Sequence, residues 1–224
     1  MSPLVSVIVP SRNAERTIGY ALDSIFNQTL QDIEVIVVDD ASDDGTQDVV
    51  KAFAHRGLKL LVNERRLGPG TCRNLGIQAA SGKYVAFVDA DDAIDPEYLE
   101  TLVRFLVTLG RRSIVASNIW VCNSSNNRML PAFTLFEQRM LRLPSKVPCQ
   151  VSIAKLIEHK VDIKPIICRE ELIETNVRFW EQTMGEEWLP FLIELSRAGF
   201  NIFLVDKPLY YYSCLLYTSD AADE

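Results

Sequence analysis

Two β-branched runs separated by a helical segment set the class of fold this chain can adopt. Leu4-Val-Ser-Val-Ile-Val-Pro10 is short and nearly continuously apolar, as expected of a strand buried on both faces. From Glu15 to Asn27 the period changes, and Ile18, Ala21, Leu22, Ile25 and Phe26 recur at helical spacing. Ile33-Glu-Val-Ile-Val-Val38 is a second buried strand, closed by Asp39-Asp40. The cycle then repeats. Asp43-Asp-Gly-Thr46 predicts a turn and a helix start, with Val49, Val50 and Phe53 on the helix's apolar face. Leu58 to Val62 is a third strand, and Gly68-Pro-Gly70 breaks the chain before a helix through Cys72, Leu75, Gly76 and Ala79. Tyr84 to Val88 is a fourth strand. Asp95 and Pro96 then suit the N-cap and first position of another helix. Alternation of this kind predicts an α/β fold, a mostly parallel, Rossmann-like sheet with helices on both faces.

In such sheets ligands bind beyond the carboxyl ends of the strands. Pro10 to Asn13, Asp39-Asp40 and Asp89 to Asp92 all follow predicted strand ends, so they are expected to converge on one edge. After Gly110 the pattern loosens. Ser113 to Val121 reads as a strand, Cys122 to Arg128 as a polar loop, and Arg139 to Pro148 as an irregular basic stretch. Helices follow around Arg169 to Thr175 and from Glu186 to Ala198, then a strand near Ile202 to Val205. No internal repeat or linker divides the chain.

Composition narrows the partners. A formal charge of −7 argues against a nucleic-acid backbone as a general partner. No apolar run is long enough to cross a bilayer, and no secretory leader precedes the first strand, so a cytoplasmic location is expected. The five cysteines are scattered, without the close pairs of a zinc or redox motif, and read as free thiols. The end of the chain stands apart. Cys214-Leu-Leu-Tyr-Thr-Ser-Asp-Ala-Ala-Asp-Glu224 fits no periodic pattern and, read back into codons, resembles a common transposase sequencing adapter. Residues 214–224 are therefore expected to be a translation artefact; finding the same eleven codons after resequencing the locus with independent primers would refute this.

The chemistry concentrates at the fourth strand end. Asp89, Asp91 and Asp92 repel one another unless a cation sits among them, and an all-oxygen ligand set favours a hard ion such as Mn²⁺ or Mg²⁺. Taken alone, an Asp-x-Asp pair is more often a solvated acidic turn at a helix start. Asp39 and Asp40 end a second strand, where they can accept from a base N–H or ribose hydroxyl, or serve as turn and cap. Arg73 falls in the first turn after Gly68-Pro-Gly70, where cation and helix dipole both favour an anion.

Five stretches then carry a resemblance. Val5-Ser-Val-Ile-Val-Pro-Ser-Arg-Asn13, Ser24-Ile-Phe-Asn-Gln-Thr29, Glu34-Val-Ile-Val-Val-Asp-Asp-Ala-Ser-Asp-Asp-Gly-Thr46, Gly70-Thr-Cys-Arg-Asn-Leu-Gly76 and Gly82-Lys-Tyr-Val-Ala-Phe-Val-Asp-Ala-Asp-Asp92 resemble, in order and spacing, the family 2 glycosyltransferases of the GT-A fold. They span about the first hundred residues. The resemblance implies a nucleotide-diphospho-sugar donor, usually a UDP-sugar, and a metal-dependent, inverting transfer to an acceptor hydroxyl. Pro10 and Arg12 would border the nucleotide, Asp40 would hydrogen-bond the base, and Arg73 would belong to the donor pocket. Asp89 would lie near ribose and metal, and Asp91 would ligate the Mn²⁺ or Mg²⁺. Arg12 stands where the family often has a base-stacking aromatic.

Phe179-Trp-Glu-Gln-Thr-Met-Gly-Glu-Glu-Trp188 resembles the family segment whose Gly-Glu-Asp supplies the general base. Glu187 matches that Asp, and Glu186 is the neighbouring candidate. Without the resemblance, both read as acids in the first turn of a helix. Lys207-Pro-Leu-Tyr-Tyr-Tyr-Ser213 resembles a closing family segment. On this reading residues 1–121 form the nucleotide-sugar half and 122–213 the acceptor half of one domain. The acceptor would be a saccharide, a lipid-linked or another hydroxyl, the last two compatible with peripheral association at the inner membrane face. A non-catalytic or truncated nucleotide-sugar binder is the alternative. The lack of Gly-x-Gly-x-x-Gly after the first strand argues against a dinucleotide-dependent dehydrogenase.

Overall fold

The structure is a computed structural model that describes residues 2–125, 128–134, 148–161, 163–181 and 187–213. The expected Glu186, most of the 139–148 stretch and the 214–224 tail lie outside the described residues. The strands are β1 (Val5–Ser11), β2 (Ile33–Asp39), β3 (Lys59–Val62), β4 (Tyr84–Phe87), β5 (Ala93–Ile94), β6 (Ser113–Ser125), β7 (Arg128–Thr134), β8 (Cys149–Val151), β9 (Ile166–Cys168) and β10 (Asn201–Ser213). The α-helices are α1 (Ile18–Phe26), α2 (Thr46–Ala52), α3 (Pro69–Ala79), α4 (Tyr98–Leu109), α5 (Ile153–Glu158), α6 (Arg169–Thr175) and α7 (Trp188–Arg197). Among the described residues one sheet runs in the order β3-β2-β1-β4-β9-β6-β10-β5, with β7 on β6 and β8 on β10.

The first four strands pair parallel, as the strand–helix alternation requires. β9 then enters antiparallel between β4 and β6, so the second half of the sheet is mixed. Side-chain alternation divides the core into two layers. Val5, Val7, Val9, Val35 and Val37 pack with Ile18, Leu22 and Ile25 of α1, Val50 of α2, and Leu99, Leu102 and Leu106 of α4. Ile8, Ile36, Val38, Val85 and Phe87 pack on the other face with Ile77 of α3, Leu156 of α5, Leu172 of α6 and Phe191, Leu192 and Leu195 of α7. Helices therefore cover both faces.

Three sequence expectations shift. Within the stretch expected as a loop, Cys122 to Ser125 and Arg128 are strand: β6 continues to Ser125 and pairs antiparallel with β7, which begins at Arg128. Ladder pairing is made by the backbone, so an Asn- and Ser-rich hairpin can extend a sheet without an apolar pattern to announce it. β10 likewise runs past Val205 to Ser213, with register shifts at Pro208 where the N–H donor is missing. α4 starts at Tyr98 rather than Pro96; Asp95 still caps the turn, its Oδ1 accepting from Glu97 N at 3.0 Å.

One close approach sets the seat of α3. A Cβ at Gly76 would overlap Cγ2 of Ile8, a fully buried residue on β1, which is flanked by β2 and β4. Gly76→Ala is expected to destabilise the chain by about 1 kcal/mol or more in urea unfolding. Overpacking of about 1–3 kcal/mol outweighs the helix-propensity gain of about 1 kcal/mol. A stabilised variant would show that α3 can lift from the sheet.

Candidate functional site

The carboxyl ends of β1, β2 and β4 meet as the topology demands. Ser11 is in register with Asp39, Asp40 N donates to Ser11 O at 2.7 Å, and Val88 N donates to Ile8 O at 3.1 Å. Beyond them opens a cavity of about 470 Å³, lined among others by Pro10, Arg12, Asp40, Arg73, Asp89, Asp91, Lys164, Glu187, Trp188 and Tyr212. Pro10, Arg12, Asp40, Arg73, Asp89, Asp91 and Glu187, all expected from the sequence, thus line one space, although Glu187 follows Asp40 by well over a hundred positions; Asp39 and Asp92 do not line it.

The loops that carry these residues are built by their own side chains. Arg12 Nη1 donates to the carbonyls of Asp40 at 3.0 Å and Ala41 at 3.2 Å, which holds the first loop against the second. Asn13 and Ala41 sit in the left-handed region at φ 48° and 55°, an uncommon conformation for residues with a Cβ. Asp39 caps its own turn, accepting from Ser42 Oγ at 2.5 Å and Gln47 Nε2 at 2.9 Å. Asp40 accepts from Asn63 Nδ2 at 2.9 Å and from Leu67 N and Gly68 N, both at 2.8 Å. Burial opposes its ionisation, but these three donors outweigh it and lower its pKa. Gly68 at φ 91°, ψ 157° occupies a region open essentially to glycine alone, and this turns its N–H onto Asp40. In this structure Asp40 orders the entry to α3.

The three aspartates after β4 have different surroundings. Asp89 is clamped, with Oδ1 2.5 Å from Arg73 Nη2 and Oδ2 3.0 Å from Lys164 Nζ. Burial raises its proton affinity, yet Lys164 and Arg73 overcome that and hold its carboxyl well below the usual range. Asp92 is buried and accepts from Tyr210 Oη at 2.6 Å, while Tyr210 Oη also accepts from Asp89 N at 3.2 Å. Burial and the charges of Asp89 and Asp91 push Asp92 well up. Asp91 is half-buried and, among the described residues, its carboxylate has no ion pair and no hydrogen bond beyond the one from its own backbone N–H. Burial and the Asp89 charge raise it to about 6. The cluster therefore holds one committed anion, one carboxyl turned inward, and one open carboxylate.

Arg73 lies deeper than its first-turn position suggests. Only 2% exposed, it ion-pairs with Asp89 through Nη2 and with Glu187 Oε1 through Nη1. The guanidinium does not face an empty anion site but spans the strand end and the start of α7. Glu187 is the N-cap of α7 and is buried beside the cavity. Trp188 follows it and lies within an edge-to-face cluster with Phe87, Phe179 and Phe191. Both Arg73 and Lys164 sit over the Trp188 ring, at 4.8 and 4.6 Å from its centroid.

Sequence reasoning missed Lys164, Tyr210 and Trp188 as parts of the site. Lys164 carried a signal: a lone charge inside Ile163-Lys-Pro-Ile-Ile167 must be paired if that run is buried. Tyr210 and Trp188 carried none, since an aromatic beside an apolar run reads equally as core. Among the described residues no group of three or more His, Cys, Asp or Glu side chains forms a ready metal cage. Nor is any helix long and apolar enough to cross a membrane.

Known proteins resemble this arrangement over most of its length. A family model described as Glycosyl transferase family 2 matches residues 6–164. The uncharacterized glycosyltransferase EpsJ of Bacillus subtilis (strain 168) is 30% identical over 220 residues, which are 95% of this chain and 61% of EpsJ. The Escherichia coli protein named UDP-Glc:alpha-D-GlcNAc-diphosphoundecaprenol beta-1,3-glucosyltransferase WfgD is 39% identical over 104 residues, 46% of this chain and 41% of WfgD. Among solved structures, S. aureus TarS 1–349 in complex with UDP-GlcNAc superposes with a TM-score of 0.76 and 26% identity, over 94% of this chain and 58% of that one. The chain thus spans less than two thirds of each of these proteins. The α/β fold is the GT-A fold expected from the sequence, and the chain belongs to glycosyl transferase family 2.

Proposed function

We propose that the cavity binds a nucleoside-diphosphate sugar, with UDP as the nucleotide, and that the chain passes the sugar to an acceptor hydroxyl with inversion. The observation that carries this reading is Asp91. It is an open carboxylate raised to about 6, set beside a cavity that also holds two buried cations, Arg73 and Lys164, and the carboxylate of Glu187. The UDP-GlcNAc bound by TarS and the UDP-Glc in WfgD's name support the donor class. A carboxylate destabilised by burial and a like charge is what a divalent cation relieves. One carboxylate completed by phosphate oxygens and water suits Mg²⁺ or Mn²⁺ better than a closed protein cage. The residues therefore fit such an ion, with Asp91 as the protein ligand and Asp89, saturated by Arg73 and Lys164, outside the immediate ligand set. When bound, the ion would supply Lewis-acid neutralisation of the diphosphate charge.

The chain's own residues supply the rest. Pro10 and Arg12 border the nucleotide at the ends of β1 and β2. Asp40 fixes the Gly68 turn and so the N-terminus of α3 beside the diphosphate. Glu187 takes the acceptor's proton as its oxygen bonds to the anomeric carbon from the face opposite the diphosphate. The carbon–oxygen bond to phosphate breaks with its electron pair on the nucleoside diphosphate. The diphosphoundecaprenol in WfgD's name supports a saccharide or lipid-linked acceptor, which would bring the chain to the inner face of a membrane. Asp91→Ala tests the reading by calorimetry of UDP with Mn²⁺. Affinity is expected to fall at least about tenfold with Mn²⁺ and to change little without it. Equal Mn²⁺-dependent affinity in the two proteins would reduce the aspartate cluster to a turn.

A further inference from the structure

Lys164 is a residue whose burial asks for a reason. Its side chain is 6% exposed, although lysine normally keeps its ammonium in water above an apolar stem. The ammonium lies 3.0 Å from Asp89 Oδ2 and 4.6 Å from the centre of the Trp188 ring. Arg73 makes the same two kinds of contact, 2.5 Å to Asp89 Oδ1 and 4.8 Å to that ring. The backbone is held too. The Lys164 carbonyl accepts from the buried Tyr98 hydroxyl at 2.9 Å, and Tyr98 packs edge-on against Tyr210.

Arg73 is shared between Asp89 and the buried Glu187, so Lys164 supplies the second positive charge that balances the two carboxylates. Beyond charge, the second cation adds geometry. A carboxylate paired through one oxygen can still turn about its Cβ–Cγ bond. Pairing of the other oxygen with a cation on a different element removes that freedom. Arg73 comes from α3 and Lys164 from the segment before β9, so the two holds are independent in sequence.

We propose that Lys164 is a positioning residue of the donor site, locking the Asp89 carboxylate between itself and Arg73 so that Asp91 is the carboxylate left to meet the donor's diphosphate. This rests on the donor-site reading above. It assigns Lys164 a role exerted through Asp89 rather than through contact with the nucleotide. A mutational cycle separates that role from a structural one.

The experiment is calorimetry of UDP with Mn²⁺, and without it, on the whole chain as wild type, Lys164→Met, Lys164→Arg, Asp89→Asn and the double variant Asp89→Asn/Lys164→Met, with a thermal melt of each. Lys164→Met is expected to weaken Mn²⁺-dependent UDP binding by about tenfold, and Lys164→Arg to recover most of it. In the Asp89→Asn background the same Lys164→Met change is expected to cost less than about twofold. A lowered melting temperature with unchanged UDP affinity would overturn the proposal, since a structural ion pair does only that. Fully additive losses would overturn it as well, because Lys164 would then act on the nucleotide directly. Should Lys164→Met fail to fold, Lys164→Gln replaces it in both backgrounds, with the same loss of about tenfold expected in the wild-type background and less than about twofold with Asp89→Asn. Wild type that binds no UDP removes the donor-site reading and this inference together. Wild type that binds, beside a Lys164→Met that binds equally well, removes this inference alone.

Discussion

Replacing Arg73 with methionine is expected to lower the unfolding free energy by about 3–5 kcal/mol in urea denaturation. The estimate follows from what the substitution strands. Arg73 is buried and joins Asp89, at the end of the parallel half of the sheet, to Glu187, 114 positions away at the start of α7. Methionine fills a comparable volume but leaves Glu187 buried without its counter-ion and Asp89 with Lys164 alone. The cost belongs to the uncompensated charges, not to a lost attraction. Arg73→Met/Glu187→Gln, which removes the stranded charge and leaves Asp89 paired with Lys164, should therefore recover much of the stability. The gap between wild type and Arg73→Met should also narrow in acid. Asp89's folded pKa is depressed, so its contribution is present above the unfolded value of about 3.9 and is lost as pH falls through the folded one. A loss below about 1 kcal/mol at neutral pH would mean that α7 relaxes and lets water reach both carboxylates.

Glu187→Gln is expected to reduce kcat for sugar transfer by about 10²–10⁴-fold and to leave the donor KM within about threefold. Glutamine keeps the side-chain length and an oxygen that can accept from Arg73, so the seat of α7 is retained while the proton acceptor is lost. The split between the two constants is the informative part. A purely structural Glu187 would lower both through misfolding and would appear in the thermal melt. A kcat held at the wild-type level would remove Glu187 as the base. Binding of donor without turnover in wild type would favour the nucleotide-sugar binder instead. The pairing with Arg73 also bears on mechanism, because a carboxylate held by a guanidinium has a fixed orientation toward the cavity. That compensates in part for the extra methylene that distinguishes Glu187 from the family's usual Asp.

The nucleotide-binding half was legible because its information is local. Val5, Val7 and Val9 alternate with Ile8 along one strand, and Ile18, Leu22 and Ile25 mark one face of one helix. Each of those patterns is set by the period of a single element, and strand-end position follows from topology alone. The β6–β7 hairpin was not legible. Its Cys122 to Ser125 stretch reads as polar loop, and backbone pairing leaves no mark in side-chain type.

What the sequence determined by itself, then, was the alternation of buried strands and helices, the edge at which Pro10, Asp40, Asp89 and Asp91 gather, and the family these motifs resemble. What only the tertiary structure decided was which of these charges remains open. Asp89, Asp91 and Asp92 are alike in sequence, but Arg73 and Lys164 reach the first, Tyr210 reaches the third, and the second meets neither. The physical reason is that a carboxylate's state depends on burial and on counter-charges within a few ångströms. Here those partners come from α3, from the segment before β9 and from β10. No local pattern ties these distant elements to β4; the closing of the sheet does.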